Sequence, residues 1–347
     1  MQVTAHDMGY FIGRLVDGHD LPHEEAEEAM RHIMSGRATQ SQIGGFLTAM
    51  RMKGVSVEEV TAFARGMRAF AHHIKPAVGR PLVDMCGTGG DAVKTFNIST
   101  AASFVVSAAG VPVAKHGNRS VTSKSGSADV LEALGARIDL GPEAVERMIE
   151  DIGFGFMFAP VFHGAMRHAL APRKEIGIRT VFNLLGPLTN PASAQAQVMG
   201  VYDRGLVAPA AKVLGNLGVE RALVVHGAGG LDEASTFGPT YVCELRDGSI
   251  SQYTLTPESL GLKRASVEDL RGGDAKANAA LTLEILKGAR GPKLDIVLLN
   301  AACGIYVGGG TLTLQEALDV AAEKVISGAA YDKLMEYIER SRPGACP

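Results

Sequence analysis

Two patterns of apolar residues divide the chain. Up to about residue 72 the apolar positions recur at helical spacing, as in residues 6–15. Pro22 followed by Glu24, Glu25, Glu27 and Glu28 marks a second helix start, with acids near the positive end of the dipole. Ser35-Gly36 ends that helix, and residues 39–52 predict a third. Ser56 with Glu59 three residues on is a capping box for a fourth. Residues 71–80, with Pro76 and Gly79, predict a linker. His72 and His73 lie within it and read as solvated, because no third metal ligand is near in sequence.

Beyond the linker, short apolar runs alternate with helix-length segments. Strands are predicted over 81–86, 111–114, 137–140, 154–158, 196–201 and 221–226, and a buried strand over 293–299. Helices are predicted over 97–109, 128–134, 142–151, 162–170, 205–217, 278–287, 314–327 and 330–340. Residues 241–245 and 249–255 form an antiparallel pair around Asp247-Gly248, and 173–190 reads as irregular. The alternation predicts an α/β fold, in which a small N-terminal helical domain (1–72) precedes a large α/β domain (80–347) with a central, mostly parallel sheet.

Composition narrows the function classes. At 347 residues and 46% hydrophobic, the chain can build a large core in two domains. A net charge of −3 and the lack of tryptophan argue against a nucleic-acid partner. Cys86, Cys243, Cys303 and Cys346 are scattered without a CxxC pair, which favours reduced thiols in a cytoplasmic protein. No basic segment followed by an apolar run opens the chain, so no secretory signal is expected. The longest apolar stretch, 101–114, is broken by Gly110 and Pro112 and is too short to span a membrane.

The candidate chemistry concentrates between residues 84 and 129. Gly87-Thr88-Gly89-Gly90-Asp91 follows an apolar run and precedes a helix starting at Asn97, Ser99 and Thr100. This is the arrangement in which free N–H groups meet an anion. It is no P-loop, because no Gly-Lys-Ser/Thr follows, and Gly87-x-Gly89-x-x-Ala92 is only a partial dinucleotide fingerprint. The second loop, KHGNRSVTSKSGSAD from Lys115, gathers cations, hydroxyls and two glycines, with Lys115 as a charge for phosphate oxygens and Ser123 and Ser127 as donors. Two such loops suit a ligand with two separate phosphate groups. Asp232-Glu233 is either a surface pair or, near a polyphosphate, a Mg²⁺ site. Arg173 is either an ion-pair partner or a guanidinium fork for a carboxylate.

CGTGGD, FNIST, KHGNRSVTSKSGSADVLEALG, RHALAPRKEIGIRTVFNLLGPLTNP and LDE, in this order, resemble the anthranilate phosphoribosyltransferase family over nearly the whole chain. Related nucleoside phosphorylases carry a KHSTGG-type loop that is absent here, and Thr122 stands where family members often have serine. The resemblance implies a fold of the nucleoside phosphorylase/phosphoribosyltransferase type, in which a segment of about 162–190 joins the small domain. It implies a cytoplasmic homodimer formed through the helical domain, with no membrane or nucleic-acid partner. The implied activity is a Mg²⁺-dependent transfer of phosphoribose from phosphoribosyl pyrophosphate to anthranilate, the second step of tryptophan biosynthesis. Matched by motif, Gly87, Gly90, Asp91, Thr95, Asn97, Ile98, Ser99, Thr100, Lys115, His116, Gly117, Asn118, Arg119, Ser120, Val121, Thr122, Ser123 and Ser127 bind the donor. Gly87, Asn118 and Arg173 bind anthranilate, and His116, Gly186 and Pro187 line its route. Ser99, Asp232 and Glu233 are the implied metal contacts, and no residue is implied as a general acid or base.

Overall fold

A computed structural model describes residues 6–90, 93–120 and 124–342. Asp91, Val121, Thr122 and Ser123, named above as donor contacts, lie outside the described residues. Four helices come first: α1 (Met8–Val16), α2 (His23–Met34), α3 (Gln40–Lys53) and α4 (Val57–Arg68). The Ser56–Glu59 capping box is built as the spacing predicts. A second box, Thr39–Gln42, starts α3. Glu59 does more than cap, because it is fully buried and its carboxylate also accepts from Leu21 N (3.0 Å) and Lys53 Nζ (2.9 Å). One buried charge thus ties the α1–α2 connection to the α3–α4 turn.

The sheet strands are β1 (Val83–Gly87), β2 (Val113–Gly117), β3 (Phe154–Phe158), β4 (Ala196–Gly200), β5 (Arg221–Gly227), β6 (Thr240–Arg246) and β7 (Ser249–Leu255). Their spatial order is β3-β2-β1-β4-β5-β6-β7, with the first five parallel and the last two antiparallel. The β6–β7 turn places Asp247 and Gly248 at φ +51° and +77°, the conformation that suits a two-residue hairpin. The chain reverses its direction of growth between β1 and β4. In such sheets a crevice opens there, beyond the carboxyl ends of the strands.

The remaining helices are α5 (Ile98–Ala108), α6 (Ser127–Ala133), α7 (Pro142–Ile152), the single turn α8 (Ala159–Phe162), α9 (Arg167–Ile176), α10 (Phe182–Leu188), α11 (Val207–Asn216), α12 (Ala275–Leu286), α13 (Pro292–Val307), α14 (Leu314–Ile326) and α15 (Ala329–Ser341). Alternate residues of β4–β6 face two different cores. Val198, Leu223, Val225 and Val242 join the core under α5, α13 and α15. Met199, Ala222, Val224, Cys243 and Leu245 join the core shared by α1–α4, α10 and α11. The helical bundle therefore rests on one face of the sheet through α11. Arg65 and Arg68 fasten it there by donating to the carbonyls of Asn216, Leu188 and Leu217.

Three expectations need correction. Residues 293–299 are not a strand but part of the 16-residue helix α13. A helix buried on all sides shows no polar face, so its apolar run cannot be told from a buried strand by period. Residues 137–140 form no strand, because β3 occupies the edge beside β2 and leaves them without a ladder partner. Residues 173–190 are largely helical. α9 ends at Gly177 in the left-handed conformation, and α10 follows with Pro187 in its last turn.

Candidate functional site

The carboxyl ends of β1, β2, β4 and β5 meet at one edge of the sheet. Gly87 pairs with Gly200, and Gly200 with Val225, so the strands end in register. From β1 the chain enters the first glycine loop, where Gly89 and Gly90 have φ of +68° and +75°. These values favour glycine and turn the backbone N–H groups toward the crevice.

Tertiary packing brings Asp232 and Glu233 against this loop. Asp232 Oδ2 accepts from Gly89 N at 2.7 Å, and Glu233 Oε1 accepts from Ser99 N at 3.2 Å, at the start of α5. Three glycines make the approach possible. A Cβ on Gly87 would stand 2.3 Å from Asp232 Oδ2, one on Gly200 1.6 Å from Asp232 O, and one on Gly227 2.5 Å from Glu233 O. Burial raises the Asp232 pKa despite the Gly89 bond. Burial, and then the neighbouring Asp232 charge, push Glu233 up to about 8. Two adjacent desolvated carboxylates, with the Asp232 charge raising the Glu233 pKa, form a site that a cation would relieve.

Lys115 lies beneath this pair rather than at the surface. Its side chain is buried, and its ammonium donates to Met85 O and to Ser99 Oγ (3.3 Å), leaving one N–H free of those two bonds. Burial lowers its pKa, while Asp84, Cys86 and Glu233 oppose that. Asp84, which the motifs did not single out, is fully buried and accepts from His116 N at 3.2 Å, fixing the start of the second loop.

Asp129 braces the second loop by accepting from Gly126 N (2.8 Å) and Ser120 N (3.0 Å). Arg119 is occupied by Asp129 and Glu132. Ser127 Oγ donates to Asn118 O at 3.3 Å. Asn97 holds the two loops together through Ser125 O (3.1 Å), and Asn278 of α12 donates to Asn97 Oδ1 (3.0 Å). Ile98 and Thr100 are buried, so there the start of α5 can offer the crevice backbone rather than these side chains. Thr95 bridges to Arg271, a neighbour the sequence did not announce.

His116 packs against His163, with ring centroids 5.0 Å apart, and burial pushes its pKa down to about 3. Its Nε2 is buried without a partner among the described residues, while the Gly186 backbone bonds the same ring. Pro187 O accepts from Gln197 Nε2 at 2.7 Å. The structure thus brings His116, Gly186 and Pro187 into one neighbourhood and adds His163, a lone histidine in sequence. Arg173, on α9, lies 5.2 Å from the Phe182 ring centroid and forms no salt bridge among the described residues. Burial lowers its pKa, so an anionic partner would be favoured there.

The donors around Asp232 and Glu233 are hard oxygens. Among the described residues, no three His, Cys, Asp or Glu side chains gather as a metal site. The two carboxylates fit Mg²⁺, which is commonly held by one or two carboxylates and completed by substrate phosphate oxygens and water.

Comparison with known proteins gives one answer throughout. The glycosyl transferase family α/β-domain model matches residues 79–331, and the corresponding helical-bundle model matches residues 10–71. An anthranilate phosphoribosyltransferase of Methanosarcina barkeri is 54% identical over 330 residues, covering 95% of this chain and 90% of that protein. One from Moorella thermoacetica is 55% identical over 94% of this chain and 96% of its own length. The crystal structure of the Thermus thermophilus enzyme superposes with a TM-score of 0.91 at 46% identity, covering 96% of this chain and 99% of that one. The Saccharomyces cerevisiae enzyme, in complex with phosphoribosyl pyrophosphate and Mg, superposes at 0.88 with 28% identity, over 96% and 97% of the two chains.

Proposed function

Because the chain belongs to the anthranilate phosphoribosyltransferase family, we propose that it transfers the phosphoribosyl group of 5-phosphoribosyl 1-pyrophosphate to the amine of anthranilate. The products are N-(5-phosphoribosyl)anthranilate and pyrophosphate, as in tryptophan biosynthesis. The observation that carries the reading is the meeting of Asp232-Glu233 with Gly89 and Ser99, which joins a carboxylate pair to an anion loop at one sheet edge.

The donor needs two anion sites, and the two loops supply them. Gly87, Gly90, Thr95, Asn97, Ile98, Ser99, Thr100, Lys115, His116, Gly117, Asn118, Arg119, Ser120 and Ser127 are its described contacts in this proposal. Asp232, Glu233 and Ser99 would hold Mg²⁺, which when bound offsets the charge of the pyrophosphate. The C1–O bond breaks with its electron pair on pyrophosphate, the neutral aryl amine closes the C1–N bond, and the proton that this nitrogen then sheds passes to the departing pyrophosphate or to solvent. The positive end of α5 and the Lys115 charge would stabilise the departing oxygen. The amine is unprotonated at neutral pH, so no residue is assigned to deprotonate it before attack. Positioning and charge stabilisation therefore account for the rate.

Arg173 would pair the anthranilate carboxylate near Gly87 and Asn118, with His116, Gly186 and Pro187 on its route. The support is an arginine over the Phe182 ring that forms no salt bridge among the described residues, together with a buried His116 Nε2 that has no partner among them. The domain division proposed is 1–72, with about 162–190 joining it, against 80–347. A cytoplasmic homodimer through the helical domain completes the reading. Val16, Met52 and Val55, exposed on that part, support the surface, and the free Cys86, Cys243 and Cys303 support the reducing compartment. The test is loss of anthranilate fluorescence with phosphoribosyl pyrophosphate and Mg²⁺. Folded protein that leaves the fluorescence unchanged refutes the function.

A further inference from the structure

A second cleft opens beside Asp232, on the β4–β5 side of the site and away from Lys115 and His116. It has a volume of about 580 Å³, and its lining includes Arg51, Arg179, Tyr202, Asp203, Arg204 and His226. Arg51 comes from α3 of the helical part, and the others come from the large part, so the cleft spans both. Arg179 stacks on Tyr202 (4.1 Å to the ring centroid), and Arg204 stacks on Tyr241 (3.6 Å). Stacking fixes each guanidinium plane and leaves its N–H edge available to an anion. Among the described residues, none of these three arginines forms a salt bridge. The only described carboxylate in the lining is Asp203, whose Oδ1 accepts from Gly205 N at 2.8 Å.

The cleft is joined to the reacting centre. Arg179 donates to the Gly90 carbonyl of the first glycine loop, and Thr88 of that loop accepts from Tyr202 N at 3.1 Å. The positive charge of Arg179 acts on Asp232. Gly230, in the lining, lies two residues before Asp232.

We propose that this cleft is a third anion site, which receives the diphosphate leaving group as it departs from Asp232. This rests on the transferase reading above. Three guanidiniums facing one carboxylate favour a multiply charged anion over a monocarboxylate such as anthranilate. The donor's own phosphates are accounted for by the two loops, so the cleft is free for the product while the donor site refills. The exposure of the arginines sets the expected strength. Each contributes as a solvent-screened contact and together they give a weak, salt-sensitive site suited to release.

The experiment uses the full chain with saturating phosphoribosyl pyrophosphate and Mg²⁺ but no anthranilate, so that no turnover occurs. Radiolabelled inorganic pyrophosphate is then titrated by equilibrium dialysis. The expected result is retention of pyrophosphate with the donor site filled. Arg51→Gln and Arg204→Gln should each weaken that retention by roughly two- to fivefold, and the double variant by about tenfold. Loss of all retention once the donor site is filled, unchanged retention in the double variant, or displacement by an equal concentration of orthophosphate would each overturn the site. Anthranilate turnover by the wild type is measured separately. If it is absent, the exit role falls with the transferase reading, whereas arginine-dependent retention still establishes the anion site.

Discussion

Gly200→Ala isolates what the sheet edge does for the Asp232–Glu233 carboxylate pair. Gly200 ends β4, outside every motif, yet its Cβ would meet Asp232 O at 1.6 Å, Asp232 C at 2.3 Å and Asp232 Cα at 3.0 Å. A carbon and an oxygen in contact need about 3.3 Å, so one partner must move by roughly 1.5 Å or more. Gly200 is the less free to yield. It pairs with Gly87 and Val225, and its carbonyl accepts from Thr88 N at 2.9 Å. The Asp232 peptide therefore moves, carrying the carboxylate away from Gly89 N and Glu233 away from Ser99 N. Misplacing a catalytic group by about 1 Å can cost on the order of a hundredfold in rate. Turnover at saturating Mg²⁺ should fall by about that factor, with a stability cost of about 1–3 kcal/mol from overpacking. Gly141→Ala is the control, since Gly141 has φ −70° and nothing within 4 Å of the added carbon. Steady-state turnover, Mg²⁺ titration and thermal melting are measured on both. A folded Gly200→Ala protein with turnover within threefold of wild type and unchanged Mg²⁺ dependence would falsify the coupling between β4 and the carboxylate loop.

Three further outcomes are expected. Asp232→Ala with Glu233→Ala should remove most Mg²⁺-dependent turnover while leaving the fold intact, since replacing buried carboxylates relieves desolvation; near-normal turnover sinks the metal assignment. Arg173→Ala should raise the anthranilate KM far more than the donor KM, and Arg173→Lys should restore only part of it, because a lysine cannot offer two parallel N–H bonds; an unchanged anthranilate KM refutes the pairing. Acid should destabilise the fold below about pH 6.5, because His116 and His163 have pKa values lowered by burial to about 3 and about 4. In that window the unfolded chain binds more protons, so each histidine removes up to about 1.4 kcal/mol of stability per pH unit as the pH falls. Denaturant melts from pH 7 to 4.5 check this, and His163→Gln should flatten the slope. A slope that is unaltered in that variant removes His163 from the account.

Local rules fixed by few neighbouring residues were legible in the chain. The Ser56–Glu59 box, the Asp247-Gly248 turn and the strand–glycine loop–helix units each follow from spacing and backbone preference within a few residues. They stand where the pattern places them. Helix α13 was not legible, because burial on every side erases the polar face that distinguishes a helix from a strand. The α9–α10 segment was obscured by its glycines and prolines, which read as breakers, yet Pro172 is accommodated inside α9, Gly177 ends that helix, and Gly186 and Pro187 lie in the last turn of α10.

The same division holds at the site. The sequence alone determined which residues could meet phosphate, since glycine-rich turns before helices expose N–H groups regardless of what surrounds them. It left Asp232-Glu233 and Arg173 undecided on spacing, and the family resemblance alone assigned them roles. Only the tertiary structure brought Asp232 to Gly89 across 143 residues and Glu233 to Ser99 across 134. It also placed Gly200 against Asp232, and Asp84 and His163 against His116. The physical reason is that a carboxylate's pKa, and therefore its use for a cation, is set by desolvation and by neighbours in space. Strand register supplies those neighbours, and no local stretch of sequence contains them.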